Sequence, residues 1–241
     1  MNFARVVTAE VLDSLPASAP SAQRSRRDLR RIHRVLRTRT IVLRALRTLS
    51  PRHPVVRPLR ILELGAGDGS LMLSVARATV GMWPSVELTL LDRQSLVDDA
   101  AVADYRGLDW IVTRRVADVW DWASDADPSE TPWDVICANL FLHHFDGASL
   151  AKLLGVIASR TDGFLACEPS RRPVALAGSR LVGLLGVNAV TRGDAVLSVQ
   201  AGFRGDELST LWAAATGDWR VHEYGAGLFT HCLCAQRVGS N

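Results

Sequence analysis

Hydrophobic residues in this chain alternate between short continuous runs and longer stretches with helical spacing. The continuous runs predict buried strands, and the spaced stretches predict helices that cover them. Strands that are apolar throughout and alternate with helices are typical of a parallel sheet covered on both faces. The predicted strands are 59–64, 86–91, 110–116, 133–138, 164–167, 220–224 and 228–235.

Apolar residues at three- and four-residue steps predict the helices that accompany these strands. We expect helices at 70–80, in a stretch that ends at Ala103, at 148–159 and at 206–216. The segment 121–131 is polar and acidic, which predicts a surface loop.

The region before the first strand has a helical pattern of its own. Residues 13–21 are rich in Pro and Ser and predict a loop, whereas residues 24–49 predict an amphipathic helix or a helix pair. The apolar stripe is interrupted once, at Arg39, and prolines at 51, 54 and 58 end the helical region. The stripe consists of Leu29, Ile32, Leu36, Leu43 and Leu46.

The composition is that of a globular protein without a membrane span. Of 241 residues, 48% are hydrophobic and 22% charged, which excludes a disordered chain. The longest segment without a charged residue has thirteen positions, 224–236, and a spanning helix needs about 20. We expect no secretory signal, and four cysteines make no disulfide framework, so a cytoplasmic protein is predicted.

Charge is distributed unevenly along the chain. Residues 1–60 carry a net charge of +11, and the remainder carries −8. A concentrated basic segment is compatible with nucleic-acid binding. This one lacks interleaved aromatic residues, and its apolar stripe favours docking on the acidic body, so a nucleic-acid partner is the less favoured interpretation.

A glycine-rich segment joins the first predicted strand to its helix. Glu63-Leu-Gly65-Ala-Gly67-Asp-Gly69-Ser70 places backbone N–H groups and a helix N-terminus at the sheet edge, where nucleotide-like ligands bind. The dinucleotide fingerprint requires glycine where this chain has Ser70. A carboxylate at position 63 repels a pyrophosphate but attracts an ammonium or sulfonium group.

These features resemble motif I of class I S-adenosylmethionine (SAM)-dependent methyltransferases. Further segments follow in the order of that family: an acid after the second strand, an acidic segment after the third, and a fourth strand that runs into Leu-His-His. An acid at the second position accepts hydrogen bonds from ribose, and the third segment is implied to face adenine. The resemblance thus implies SAM as cofactor, bound by Glu63, Gly65, Gly67, Gly69, Asp92, Arg93, Asp118, Val119 and Asn139.

The resemblance also fixes the expected architecture. We expect an α/β fold with a Rossmann-like, doubly wound, mostly parallel seven-stranded sheet. Residues 1–57 would form a basic helical lid over the acceptor, and residues 58–241 the SAM-binding domain. An acceptor-side insert is expected at about 168–205.

His143 and His144 are the candidate catalytic residues. Histidine titrates near neutral pH and acts as a general base on hydroxyl or carboxyl groups. The alternative stays open that one histidine caps the loop and the other lines the pocket, because alignment alone accelerates methyl transfer. No metal site is expected, since Cys232-x-Cys234 has the wrong spacing for a zinc pair and no second pair accompanies it.

The insert is mostly apolar with a few polar residues, which suits a hydrophobic acceptor. Arg171, Asn188 and Arg192 are the candidate acceptor-binding residues. The chain resembles methyltransferases found beside polyketide-synthase genes, which implies O-methylation of a polyketide-like phenol or lipid-like acid. The alternatives are an RNA methyltransferase, disfavoured by the absence of Pro-Pro after Asn139, and a non-catalytic SAM-binding or NAD-dependent Rossmann protein.

Overall fold

A computed structural model describes residues 3–49, 57–83, 85–125, 132–213 and 218–239. Within these ranges seven strands form one sheet, and the predicted fold class is confirmed. No helix in the described ranges is both long and apolar enough to cross a membrane. The strands are β1 (Leu59–Leu64), β2 (Val86–Asp92), β3 (Trp110–Val116), β4 (Val135–Asn139), β5 (Gly163–Pro169), β6 (Trp219–Ala226) and β7 (Thr230–Arg237).

The strands are arranged in the order β3-β2-β1-β4-β5-β7-β6. Strands β1 to β5 pair in parallel, and β7 is antiparallel to both of its neighbours. The chain runs outward from β1 in one direction and then from β4 in the other, so β1 and β4 flank a topological switch point. In open α/β sheets the ligand binds at the carboxyl ends of the strands at such a point.

Ten α-helices cover the sheet or lie over its edge in the described ranges, and two 3₁₀ turns, Leu142–His144 and Val182–Leu185, accompany them. The helices are α1 (Val11–Ser14), α2 (Pro20–Val35), α3 (Thr38–Leu49), α4 (Ser70–Ala78), α5 (Asp99–Arg106), α6 (Val119–Ser124), α7 (Gly147–Ser159), α8 (Pro173–Leu181), α9 (Ala189–Ala201) and α10 (Glu207–Trp212).

The basic N-terminal region is a helix pair, one of the two forms predicted. Helix α2 ends at Val35, and Arg37 has a φ of 56°, which reverses the chain before α3. Helix α3 buries Val42, Leu46 and Leu49 in the core beneath the sheet. The predicted docking of this region on the body is therefore seen, and the arginines occupy its other faces.

Several boundaries differ from the prediction. The segment 13–21 is not a single loop, because α1 includes its first residues and Pro20 begins α2, where its missing N–H costs nothing. The insert contains α8 and α9, which the apolar pattern did not separate. Helix α6 occupies the first part of the expected acidic loop, whereas residues 126–131 and the last residues of the predicted helix 206–216 lie outside the described ranges.

Candidate functional site

A cavity of about 650 Å³ opens at the carboxyl ends of β1, β2 and β4. Its volume lies within the range of small-molecule sites. Residues of α1, α2 and the segment before them form its roof, and we call residues 3–35 the lid. The wall contains ten of the predicted site residues, namely Glu63, Gly65, Gly67, Asp92, Arg93, Asp118, Val119, Asn139, His143 and His144.

Gly69 lies behind the cavity wall and not in it. The glycine precedes α4, its φ is 70°, and its carbonyl accepts a hydrogen bond from the Tyr105 hydroxyl at 2.7 Å. Gly69 therefore shapes the loop from behind, and ten predicted residues face the cavity itself.

The loop after β1 depends on glycine conformation at the switch point. Gly65 has a φ of 67°, and a Cβ added there would lie 2.4 Å from the Phe141 ring. Any side chain at Gly65 would therefore strain the backbone and collide with the loop that follows β4. The result is a bare backbone edge facing the cavity.

Glu63 brings a buried carboxylate to the base of the cavity. Glu63 is 3% exposed, and its Oε2 atom makes no hydrogen bond within the described part of the chain. Burial raises the pKa of Glu63 well above its usual value, and the neighbouring carboxylates of Asp68 and Asp92 raise it further. A cation in the cavity would satisfy this group.

Asp92, at the end of β2, holds the glycine loop in place. Its Oδ2 atom accepts a hydrogen bond from the Gly67 N–H at 2.9 Å, and its Oδ1 atom accepts one from the Gln94 N–H at 2.8 Å. A carboxylate oxygen accepts more than one hydrogen bond, so both oxygens keep capacity for a ligand.

The opposite end of the cavity is built by α6. Asp118 is the N-cap of this helix and accepts a hydrogen bond from the Trp120 N–H at 2.8 Å. Val119 and Trp120 line the wall beside it. An apolar side chain next to a capping carboxylate suits a flat heterocycle with an amino group.

His143 is held between two carboxylates. Its Nδ1 atom lies 2.8 Å from Glu168, and its Nε2 atom lies 3.2 Å from Glu10 of the lid. Glu168 also accepts hydrogen bonds from the backbone N–H groups of Phe141 and Leu142 at 3.0 and 2.9 Å, which fixes the turn that carries the histidine.

The two histidines differ in charge. Burial lowers the pKa of His143, but its hydrogen bonds to Glu10 and Glu168 outweigh that effect and raise the pKa to about 9. Burial and the charge of His143 lower the pKa of His144. With carboxylates at both ring nitrogens, His143 is an imidazolium that donates at both ends.

Buried carboxylates tie the lid to the insert. Asp28 of α2 accepts a hydrogen bond from the Asn188 N–H at 2.8 Å, and Asp194 of α9 accepts from the N–H groups of Val11 and Leu12, both at 2.9 Å. On the other side of the cavity, Arg30 forms an ion pair with Asp68 of the glycine loop.

The three predicted acceptor-binding residues do not line the cavity, contrary to the expectation from the sequence. Arg171 is buried and binds Glu207 and the Phe3 carbonyl, so it anchors the lid. Asn188 caps α9 and contacts Ser25 of α2. Arg192 is exposed on α9.

Sequence reasoning missed Glu10 and Arg30 as site residues, and it placed Glu168 only among the polar residues of the insert. Glu10 and Arg30 reach the cavity only because the lid folds over it, and no local spacing signals that. Glu168 had a signal: it is an acid at the end of a predicted strand, next to a strand that ends in a histidine pair.

The chain has the fold of SAM-dependent methyltransferases of known structure. It superimposes on the plantazolicin methyltransferase BpumL in complex with SAH with a TM-score of 0.60 and 12% identity, covering 91% of each chain. For the magnesium protoporphyrin IX methyltransferase of Synechocystis PCC 6803 with bound SAH, the TM-score is 0.51 with 12% identity, over 94% of this chain and 91% of that one.

An O-methyltransferase family protein from Burkholderia thailandensis is also similar, with a TM-score of 0.57 and 17% identity over 94% of this chain. The chain spans 65% of the length of that protein. No family model and no curated protein matches the sequence. At these identities the similarity defines the fold, and the predicted Rossmann-like architecture is confirmed by it.

Proposed function

We propose that the protein is a SAM-dependent methyltransferase that methylates an oxygen of a small hydrophobic acceptor. The observation that carries the proposal is the buried carboxylate of Glu63 beside the glycine loop, with an Oε2 atom that has no hydrogen-bond partner in the described part of the chain. SAM contains an ammonium and a sulfonium group and no phosphate, so it provides the cation that this carboxylate lacks. The fold shared with methyltransferases that carry SAH supports the same cofactor.

The residues present fit SAM along the whole cavity. Glu63 and the backbone at Gly65 would hold the amino-acid end, and Asp92 would accept hydrogen bonds from the ribose. Asp118 would accept from the adenine amino group, with Val119 against the ring. When bound, SAM supplies an activated methyl group. Arg93 and Asn139 would complete the wall around it.

The rest of the cavity wall suits a hydrophobic acceptor with one polar group. Apolar side chains of the lid and the β4 loop face it, together with His144 and Ser198. Two lid carboxylates, Glu10 and Asp13, lie at the same end. These charges disfavour an acceptor carboxylate and favour a phenol that enters as a neutral molecule.

The chain contributes alignment and exclusion of water. Its lid closes the cavity from above, bound to the insert by Asp28 and Asp194. Holding two reactants close together in the correct orientation lowers the activation barrier by about 7–11 kcal/mol in favourable cases. His143 carries hydrogen-bonded carboxylates at both nitrogens, which leaves His144 as the histidine available to the acceptor.

Transfer of a labelled methyl group tests the proposal. The chain is incubated with methyl-labelled SAM in three separate reactions. One contains a panel of polyketide-like phenols, the second a panel of fatty acids, and the third total RNA. We expect label in one or more phenols and loss of labelling in the Asp92→Asn variant. Label in RNA alone, with salt-sensitive binding, would instead support the RNA methyltransferase alternative. The absence of label in all three, despite SAM binding, would support a non-catalytic SAM-binding protein.

A further inference from the structure

Three metal-ligating side chains meet at the acceptor end of the cavity. Glu10, His143 and His144 each offer one ligand atom, and these atoms lie within 4.8 Å of one another. Two of the residues come from the turn after β4, and the third comes from the lid. The group therefore assembles only when the lid is folded over the cavity.

The distance between the ligand atoms of His143 and Glu10 is the one expected for two ligands of the same metal ion. The Nε2 atom of His143 lies 3.2 Å from a carboxylate oxygen of Glu10. Two ligands at about 2.1 Å from one zinc-like ion are roughly 3.0 to 3.5 Å apart for octahedral or tetrahedral geometry. The pair is thus spaced for a shared metal ion as well as for a hydrogen bond.

Glu168 supplies the support that metal-bound histidines have. It faces the second ring nitrogen of His143, Nδ1, at 2.8 Å, and is itself fully buried. A histidine ligand almost always donates its other N–H to a carboxylate or carbonyl, which fixes the tautomer with the free lone pair toward the metal. This arrangement is independent of the spacing of the three ligands.

The charges around the group also favour a cation. Glu10 is mostly buried and Asp13 lies 3.4 Å from the Nδ1 atom of His144. Arg5 donates to the carbonyls of His143 and Phe145 and forms no hydrogen bond with these carboxylates in the described contacts. Arg93 forms an ion pair with Asp13 at 3.4 Å, so Glu10 is the lid carboxylate that favours a cation here.

We propose that Glu10, His143 and His144 form a binding site for one divalent transition-metal ion, with an open coordination position toward the acceptor. Two imidazoles and a carboxylate suit Zn²⁺, Fe²⁺, Co²⁺ or Mn²⁺ better than Mg²⁺ or Ca²⁺, which prefer oxygen ligands. Binding releases the proton that His143 shares with Glu10. The proposal departs from the expectation of no metal site, because Glu10 is 133 positions from His143 and no sequence spacing connects them.

A metal ion at this site would add activation of the acceptor to the proposed function. Only this catalytic role rests on the proposed function. An acceptor hydroxyl at the open position would lose its proton more easily, since a bound metal lowers the pKa of its oxygen ligands. His144 would then act as a ligand and not as a base. Metal binding itself requires neither SAM nor an acceptor.

Cobalt titration of the full chain tests the site directly. Tag-free protein is stripped with a chelator, desalted and titrated with Co²⁺ at pH 8 while visible absorption is recorded. We expect a band that saturates at one equivalent and is abolished by Zn²⁺. Affinity should fall more than tenfold in His144→Gln and in Glu10→Gln, and about 10- to 100-fold in Glu168→Gln, which removes the outer support.

His222→Gln is the matched control, because His222 is exposed on β6 and lies outside the cavity. It should leave the titration unchanged. Glu10 lies in the lid and not in the turn after β4, so the Glu10→Gln variant still tests the site if a histidine variant fails to fold. No saturable band, or equal affinity in the wild type and the Glu10→Gln variant, would overturn the proposal. SAM binding measured on the same preparations separates this outcome from a failure of the proposed function.

Discussion

The carboxylate of Asp92 accepts a hydrogen bond from the Gly67 N–H at 2.9 Å, which joins the end of β2 to the glycine loop after β1. Two segments that the sequence separates by 25 positions thereby form one wall of the cavity. The contact explains why the acid and the glycines occur together: the carboxylate positions the loop and still has lone pairs for a ligand.

Replacing Asp92 by Asn should weaken SAM binding at least about tenfold, because hydrogen bonds to a charged acceptor contribute about 1.5–3 kcal/mol. Isothermal titration calorimetry measures the change. Asp104→Asn is the control, since Asp104 forms an ion pair with Arg77 on the surface. Equal affinity in the two variants would show that Asp92 does not contact the cofactor.

Glu63 should make stability depend on pH in a particular direction. Its pKa in the folded chain is raised above the usual 4.5. Its contribution to the free energy of unfolding is therefore fully present below pH 4.5 and is lost as the pH rises toward the pKa of the folded state. Relative to Glu63→Gln, the wild type should lose up to about 1.4 kcal/mol of unfolding free energy per pH unit in that window. Urea unfolding at pH 5 to 8 measures it, and parallel curves would contradict the assignment.

The same carboxylate should couple SAM binding to proton release. A bound ammonium favours ionised Glu63, so the affinity should rise with pH in the wild type above pH 4.5. Calorimetry at one pH in two buffers of different ionisation enthalpy gives the number of protons released, up to about one. The Glu63→Gln variant should bind more weakly and show no such release. Identical proton counts in the two proteins would rule out this coupling.

The ion pair between Arg30 and Asp68 links the lid to the glycine loop across the cavity. Arg30→Gln should speed SAM dissociation by up to about fivefold, the range for a partly exposed ion pair worth at most about 1 kcal/mol. The thermal midpoint should change little. Arg27→Gln is the control, because Arg27 is exposed on the same helix and does not line the cavity. Stopped-flow fluorescence measures the rates, and equal rates would show that the pair does not restrain the cofactor.

Much of the cavity wall at the strand ends could be predicted from local sequence. Parallel strands end at a common sheet edge, so Glu63, Asp92, Asp118 and Asn139 each follow from the position of a strand end. The glycine positions follow from the turn that connects β1 to α4. These residues face the cavity because strand order and the period of the apolar runs leave little freedom.

The contacts between the lid and the body could not be predicted in this way. Glu10 meets His143 through the fold of the lid, and Asp28 meets Asn188 through the packing of α2 on α9. Such contacts join surfaces that have no common period or spacing. Arg171 illustrates the error that results, because a charged residue in an insert was taken to face a ligand and instead anchors the backbone at Phe3.

Calorimetric titration of the chain with SAM, and separately with NAD, tests the central claim most directly: that a buried carboxylate and a glycine loop bind a phosphate-free, cationic nucleoside. We expect one SAM site per chain, no heat with NAD, and a large loss of SAM affinity in the Glu63→Gln, Asp92→Asn double variant. Binding of NAD without SAM, or SAM binding that the double variant leaves intact, would contradict the claim.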